Sequence, residues 1–133
     1  VRYIMDTFYG NKPDALSGND DCGQMSAWYI FNTMGFYPTA PSSNVYNLGS
    51  PGLAAVDMKM SNGKHLRMTT GNWSARNVFV KEVYLNGKKY DKSYITYNDI
   101  KDGADLHFVM SSRPNYKRGV AERAVPPSVS EKR

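Results

Sequence analysis

The sequence predicts an α+β chain, with a helical N-terminal segment followed by a small antiparallel β-sheet or sandwich segment. Three observations predict it. Apolar residues recur at helical spacing at positions 1, 4, 5 and 8, and again from Gln24 to Met34. The period then drops to two, with Val56, Met58 and Met60 alternating with Asp57 and Lys59. Asn62-Gly63 and Asn86-Gly87, each between apolar-alternating runs, are strong short-range hairpin signals. With 133 residues there is room for one core of ordinary size. The expected organisation is a helical part over 1–37, a connection over 38–52, a β segment over 53–112 and a basic flexible tail over 113–133.

The first helix is expected over Val1 to Tyr9. Nothing resembling an N-cap precedes Val1, and the chain does not open with methionine, so a helix cut from a longer chain is expected. Gly10-Asn11-Lys12-Pro13-Asp14 ends it with turn chemistry. The second helix opens at Gly18-Asn19-Asp20-Asp21-Cys22-Gly23-Gln24. Asp21 and Gln24 are three apart, the spacing of a capping box. Met25, Trp28 and Tyr29 lie on one face, and Ala27, Ile30, Phe31 and Met34 on another, which predicts a helix buried on most sides. Gly35 stops it and Pro38 follows.

Thr39 to Asn44 is a Pro/Ser-rich connection, and Val45-Tyr46-Asn47-Leu48 a short strand before the turn at Gly49-Ser50-Pro51-Gly52. Leu66 and Met68 alternate with His65, Arg67 and Thr69 on the strand returning from the first hairpin. Val78, Val80, Val83 and Leu85 form the next strand, whose change of face between Val80 and Val83 marks a bulge. Tyr94-Ile95-Thr96-Tyr97 is β-rich. Asp102-Gly103 turns the chain into a last strand carrying Leu106, Phe108 and Met110. From Arg113 periodicity ends, and Pro126-Pro127 with the charged end to Arg133 reads as a mobile tail.

The net charge of +5 is a property of that tail. From Ser111 onward six Lys or Arg face two Glu, while the remainder carries eleven basic and ten acidic residues. No aromatic-basic RNA-binding motif accompanies the charge, so nucleic acid is rejected as the main partner. No apolar run has the length of a membrane span. A single cysteine, Cys22, rules out an internal disulfide.

Several side chains read as structural. His65 and His107 sit on strands opposite the apolar face, without a second ligand at metal spacing, and are expected to be solvated. Cys22 has no nearby histidine and Ser26 lies in no nucleophile-elbow motif. Trp73, within the sequon Asn72-Trp73-Ser74, reads as a loop anchor with its indole N–H bonded, or alternatively as a sugar-stacking platform.

Gly18 to Tyr29, with Gly35-Phe36-Tyr37-Pro38 after it, resembles the signature near the C-terminal end of glycoside hydrolase family 92, the calcium-dependent inverting exo-α-mannosidases. The family pattern G-[ND]-[DE]-D-x-G-x-x-S-A-W/F is matched position by position. The resemblance continues through Gly49-Ser50-Pro51 and the later strands to about Pro114. It implies that residues 1–37 are the last helices of a helical-barrel (α/α) catalytic domain. It further implies hydrolysis of terminal α-linked mannose, α-1,2 in the first instance, in a mannose-containing glycan.

Within that resemblance Asp21 matches the general base. Asn19 matches a position that is aspartate in some members, where it helps hold the attacking water. Asp20 lies between them and joins the candidate catalytic set, and Gln24 is the candidate substrate-binding residue. Calcium is implied with its ligands unassigned. The family's general acid is a glutamate well upstream, and the glutamates here are Glu82, Glu122 and Glu131. The isolated chain is therefore expected to be inactive, with the upstream portion of the same enzyme as its partner and export as the expected destination. The alternatives are a non-catalytic carbohydrate-binding β module and a structural fragment with no ligand of its own.

Overall fold

The computed structural model describes residues 1–40 and 42–128. Two short helices open the chain, α1 over Arg2–Phe8 and α2 over Gln24–Thr33. Strands β1 (Phe36–Tyr37), β2 (Val45–Leu48), β3 (Ala55–Lys59), β4 (His65–Gly71), β5 (Phe79–Leu85), β6 (Lys88–Lys89) and β7 (Tyr94–Thr96) follow. A one-turn helix α3 (Tyr97–Ile100), strand β8 (Ala104–Ser111) and a 3₁₀ turn at Glu122–Ala124 complete the described elements.

The strands form two sheets, of order β1-β2-β7 and β3-β4-β8-β5-β6. Period-two patterning does the placing. Leu66 and Met68 of β4, Val83 of β5, and Leu106, Phe108 and Met110 of β8 all turn to one face of the larger sheet and are fully buried there. Met34, Phe36, Ile95 and Ile100 complete the core from the other side. The hairpin at Asn86-Gly87 has both residues in the left-handed region, with φ of 51° and 76°, as a type I′ turn requires. The expected bulge in β5 is found as a register shift between Val80 and Glu82.

Several expectations need correction. The larger sheet is mixed, because β8 pairs antiparallel with β5 but parallel with β4. Between β4 and β8 the chain crosses through β5, β7 and α3, and such a long crossover leaves direction free where a hairpin would fix it. Strand β7 leaves the larger sheet for β2, so the β-rich run at Tyr94 belongs to a second layer. Helix α3 begins at a capping box in which Asp99 accepts from the Thr96 N–H and hydroxyl, both at 2.7 Å.

Over residues 113–128 the expected flexible tail is tied to the β region at a few residues, while most of it is exposed. Ala124 is buried, and its carbonyl accepts from the Ser93 N–H and hydroxyl, each at 2.8 Å. Asn115 Nδ2 donates to the Lys81 carbonyl at the β5 bulge, and Arg118 Nη2 to the Lys92 carbonyl. Single residues reaching open backbone carbonyls leave no periodic trace, which is why the sequence hides this strap. The charged end at 129–133, with Glu131, Lys132 and Arg133, lies outside the described residues, as does Pro41.

Helix α2 is not buried on most sides within this chain, since Ala27, Tyr29 and Ile30 are exposed, Ile30 at 58%. Only its C-terminal end is enclosed. There Asn32 and Thr33 bond back to the carbonyls of Trp28 and Tyr29. Gly35 then stops the helix at φ 88°, and a Cβ there would lie 3.0 Å from the Phe108 ring and 3.1 Å from Pro51. That close approach pins the end of α2 onto the sheet core. No helix among the described residues is long and apolar enough to cross a membrane.

Candidate active site

The site begins with the backbone at the start of α2. A helix leaves its first four N–H groups without intrahelical partners, and here Asp20 takes all four. Its carbonyl accepts from Gly23 at 3.1 Å, Gln24 at 2.7 Å and Met25 at 3.4 Å. Its carboxylate Oδ1 accepts from the Ser26 N–H at 2.9 Å, and the Ser26 hydroxyl lies 3.2 and 3.0 Å from the two carboxylate oxygens. The capping residue is therefore Asp20, and the expected capping box between Asp21 and Gln24 does not form. Gly23 is the N-cap, without a side-chain cap bond.

A cap set three residues before Gly23 requires a sharp reversal between them. Asp21, Cys22 and Gly23 make it with φ of 44°, 61° and 92°, three consecutive residues in the left-handed region. Such a conformation costs about 1–2 kcal/mol for each residue with a Cβ, so the hydrogen bonds to Asp20 offset strain at Asp21 and Cys22. The reversal turns Asp21 outward. Its side chain is exposed and makes no hydrogen bond or ion pair among the described residues, and Asn19 and Gln24 are likewise exposed. Thus Asn19, Asp21 and Gln24 are all open to solvent around the start of α2, while Asp20 is set apart by its bonds to Ser26.

Aromatic rings pack along α2. Tyr9 stacks on Trp28 and Tyr29 with centroids 5.4 and 5.0 Å away, and Trp28 meets Tyr37 at 6.5 Å. Burial, with the charges of Asp20 and then Tyr37 adding to it, holds the Tyr9 phenol above its ordinary pKa. Sequence reasoning missed Tyr9, which follows α1 with no pattern of its own to relate it to Trp28.

The other candidates are dispersed. His65 bonds to Asp57, whose carboxyl is held below its ordinary pKa first by that bond and further by Arg67. His107 Nδ1 lies 2.7 Å from the Thr69 hydroxyl. Glu82 accepts from the Tyr84 hydroxyl and faces Lys89. Cys22 is free and exposed. Trp73 does not anchor its loop by its indole N–H, which has no partner among the described residues, and the side chain is 45% exposed. Calcium requires about six to eight oxygen ligands. No group of three or more His, Cys, Asp or Glu is gathered among the described residues, and Asp20 is engaged by Ser26. These residues do not by themselves fit a calcium shell.

Comparison with known proteins decides the family. Residues 1–112 match the glycosyl hydrolase family 92 catalytic domain. The chain belongs to that family. An α-mannosidase of family GH92 from Bacteroides thetaiotaomicron, solved in complex with mannoimidazole, is 68% identical with a TM-score of 0.94, over 97% of this chain and 17% of its own. An inverting mannosidase of family GH92 from the same organism is 34% identical with a TM-score of 0.89, over 98% and 18%. An uncharacterized secreted glycosidase of Arthroderma benhamiae is 29% identical over 91% of this chain and 16% of its own. The chain thus spans about a sixth of the length of each of these proteins, and over that stretch the two solved structures share the α+β architecture expected from the sequence.

Proposed function

We propose that these residues form the C-terminal part of an inverting α-mannosidase that removes terminal α-linked mannose, with Asp21 as its general base. The observation that carries this reading is the division of labour at the start of α2. One carboxylate of the pair is committed to the helix, and its neighbour is left exposed and unpaired on a fixed turn. The relatives add that one family 92 α-mannosidase was solved with mannoimidazole and that another is inverting.

Inversion needs one carboxylic acid to protonate the leaving oxygen and one carboxylate, about 6.5–9.5 Å away, to deprotonate a water on the other face of the sugar. Asp21 takes the water's proton. Asn19, two residues before it and also exposed, orients that water by its amide but cannot accept the proton. Gln24 contributes a donor and acceptor to the sugar's hydroxyls. The acid comes from elsewhere in the enzyme, because Glu82 is bonded to Tyr84 within the β region. Calcium, where the enzyme uses it, takes its ligands mainly from outside these residues. Export and an α-1,2 preference belong to the same reading, the former in keeping with the secreted glycosidase relative.

The test is Asp21→Asn in the full-length enzyme. Asparagine caps a helix about as well as aspartate, so a capping role predicts little change. Loss of a general base costs about 10²–10⁴-fold in rate, or about 3–5 kcal/mol. The expected result is a collapse of kcat with Tm within a few degrees of the wild type. An active, folded Asp21→Asn enzyme returns the residue to a structural role. The 133-residue chain alone is expected to turn over neither an aryl α-mannoside nor α-1,2-mannobiose with calcium present. The alternative, a carbohydrate-binding module, has the exposed Trp73 in its favour and predicts mannan binding by that same isolated chain.

A further inference from the structure

We propose that Asp20 is a positioning residue whose task is to keep Asp21 from capping helix α2. This rests on Asp21 being the base. The sequence holds two competing ways to start this helix. In one, Asp21 and Gln24, three apart, close a capping box, and the Asp21 carboxylate is drawn down onto the backbone. In the other, which the structure adopts, the carbonyl and carboxylate of Asp20 take the N–H groups of Gly23, Gln24, Met25 and Ser26. The second arrangement leaves no free N–H at the helix start to attract Asp21.

Its cost is the left-handed run Asp21-Cys22-Gly23. Two residues with a Cβ adopt that conformation only when their surroundings over-determine it, and here the surroundings are Asp20 and Ser26. The Ser26 hydroxyl matters because it lies within hydrogen-bond distance of both Asp20 oxygens and so fixes the plane of the carboxylate. If Asp20 releases Ser26, the turn loses its side-chain anchor and the Ser26 N–H loses its acceptor, while the backbone carbonyl keeps the other three; Asp21 is the next carboxylate along the chain able to take it. The base would then be satisfied by the helix and turned away from the water.

The experiment uses the full-length enzyme with an aryl α-mannoside, and compares Asp20→Ala, Asp20→Asn, Ser26→Ala, Ser26→Thr and Asp21→Asn. Misplacing a reacting group by about 1 Å can cost about 10²-fold. Asp20→Ala is expected to lose about that in kcat. Asp20→Asn, whose amide oxygen still accepts from Ser26, is expected to lose about 10-fold. KM stays within about 3-fold for both, because sugar contacts are untouched. Ser26→Ala lowers kcat in the same direction, and Ser26→Thr, which restores the hydroxyl, recovers it. The double variant Asp20→Ala/Ser26→Ala is no worse than Asp20→Ala, as expected for two members of one contact.

Full activity in Asp20→Ala beside a dead Asp21→Asn overturns the proposal and leaves the base assignment standing. A dead Asp20→Asn with a silent Ser26→Ala also overturns it, because Asp20 would then act directly. An active Asp21→Asn removes the reading on which the proposal rests. Should Asp20→Ala fail to fold, the Ser26→Ala and Ser26→Thr pair decides: loss and recovery of kcat at constant Tm support the proposal, and two unchanged rates overturn it.

Discussion

The two halves of this chain bury their apolar residues to very different degrees. In the β half, Ile95 and Phe108 are completely buried and the two sheets close on a shared core. In the helical half, Met5 is the only buried residue of α1, while Val1, Ile4, Phe8 and Ile30 stay exposed. The half that carries the candidate chemistry is thus the half that does not enclose itself. Its attachment is concentrated at the end of α2, where Phe31 meets Phe36 and Tyr46, Met34 joins the core and Gly35 lies against Phe108, with Arg2 on the Pro51 carbonyl and Met5 over Gly52 holding α1. Stability and the proposed chemistry rest on different residues, and substitutions should separate them.

The largest separation is expected between two phenylalanines. Phe108→Ala opens a cavity in a fully packed core and should cost about 3–5 kcal/mol. Phe8→Ala in the same chain should cost under about 0.5 kcal/mol, as for exposed positions generally. Urea unfolding of the isolated 133-residue chain measures both. Repeating Phe8→Ala in the full-length enzyme sharpens the comparison. A cost above about 2 kcal/mol there would show that α1 is covered by chain beyond these residues, and equal small costs would break the proposal of an upstream partner.

The same contrast sets what was legible in the sequence. Alternation at Leu66 to Met68 and at Leu106 to Met110 fixes which face is buried, and Asn86-Gly87 fixes a turn, so the strands could be placed. Pairing direction could not, because β4 and β8 are joined by a crossover through β5, β7 and α3 and not by a turn. Strand β1 has two residues, too few to show a period. At the site, the family motif matched Asp21 to the general base but gave Asp20 no structural task. Capping spacing pointed to Asp21, and the structure gives the cap to Asp20, because a left-handed turn at Asp21 and Cys22 is a conformation that sequence patterns disfavour for residues with a Cβ. The strap over 113–128 was hidden for another reason. Its hold consists of Asn115, Arg118 and Ala124 meeting carbonyls and one serine, with no repeat to read.

That strap gives the next effect in size. Ending the chain at Ser112, where the family match also ends, removes the bonds to Ser93, Lys81 and Lys92. Net hydrogen bonds contribute about 0.5–1.5 kcal/mol each, exposed ones at the low end, so losing these four is expected to cost on the order of 2–3 kcal/mol, confined to the β half. Amide exchange should quicken at Ser93 and leave Ser26 unchanged. Faster exchange at Ser26 would show that the two halves are coupled through the strap.

The smallest effect concerns Tyr90, which borders the β core with its hydroxyl buried and without a partner among the described residues. Burial, then the charge of Asp99, then Tyr94 pushes its pKa from 10.0 up to about 12. A raised pKa means that the folded state favours the neutral phenol. Its contribution to stability is complete below pH 10 and is lost as pH rises from about 10 through about 12. Tyr90→Phe removes both the ionisation and the unmet hydroxyl. At pH 7 the variant should melt at the wild-type temperature or slightly above it, a gain of at most about 1 kcal/mol. Above pH 10 its unfolding edge should move to higher pH. Thermal melts of both proteins between pH 7 and 12 carry the test. A lower Tm for Tyr90→Phe at pH 7 would show that the hydroxyl has a partner, such as an ordered water, and that this edge of the core is less dry than its packing indicates.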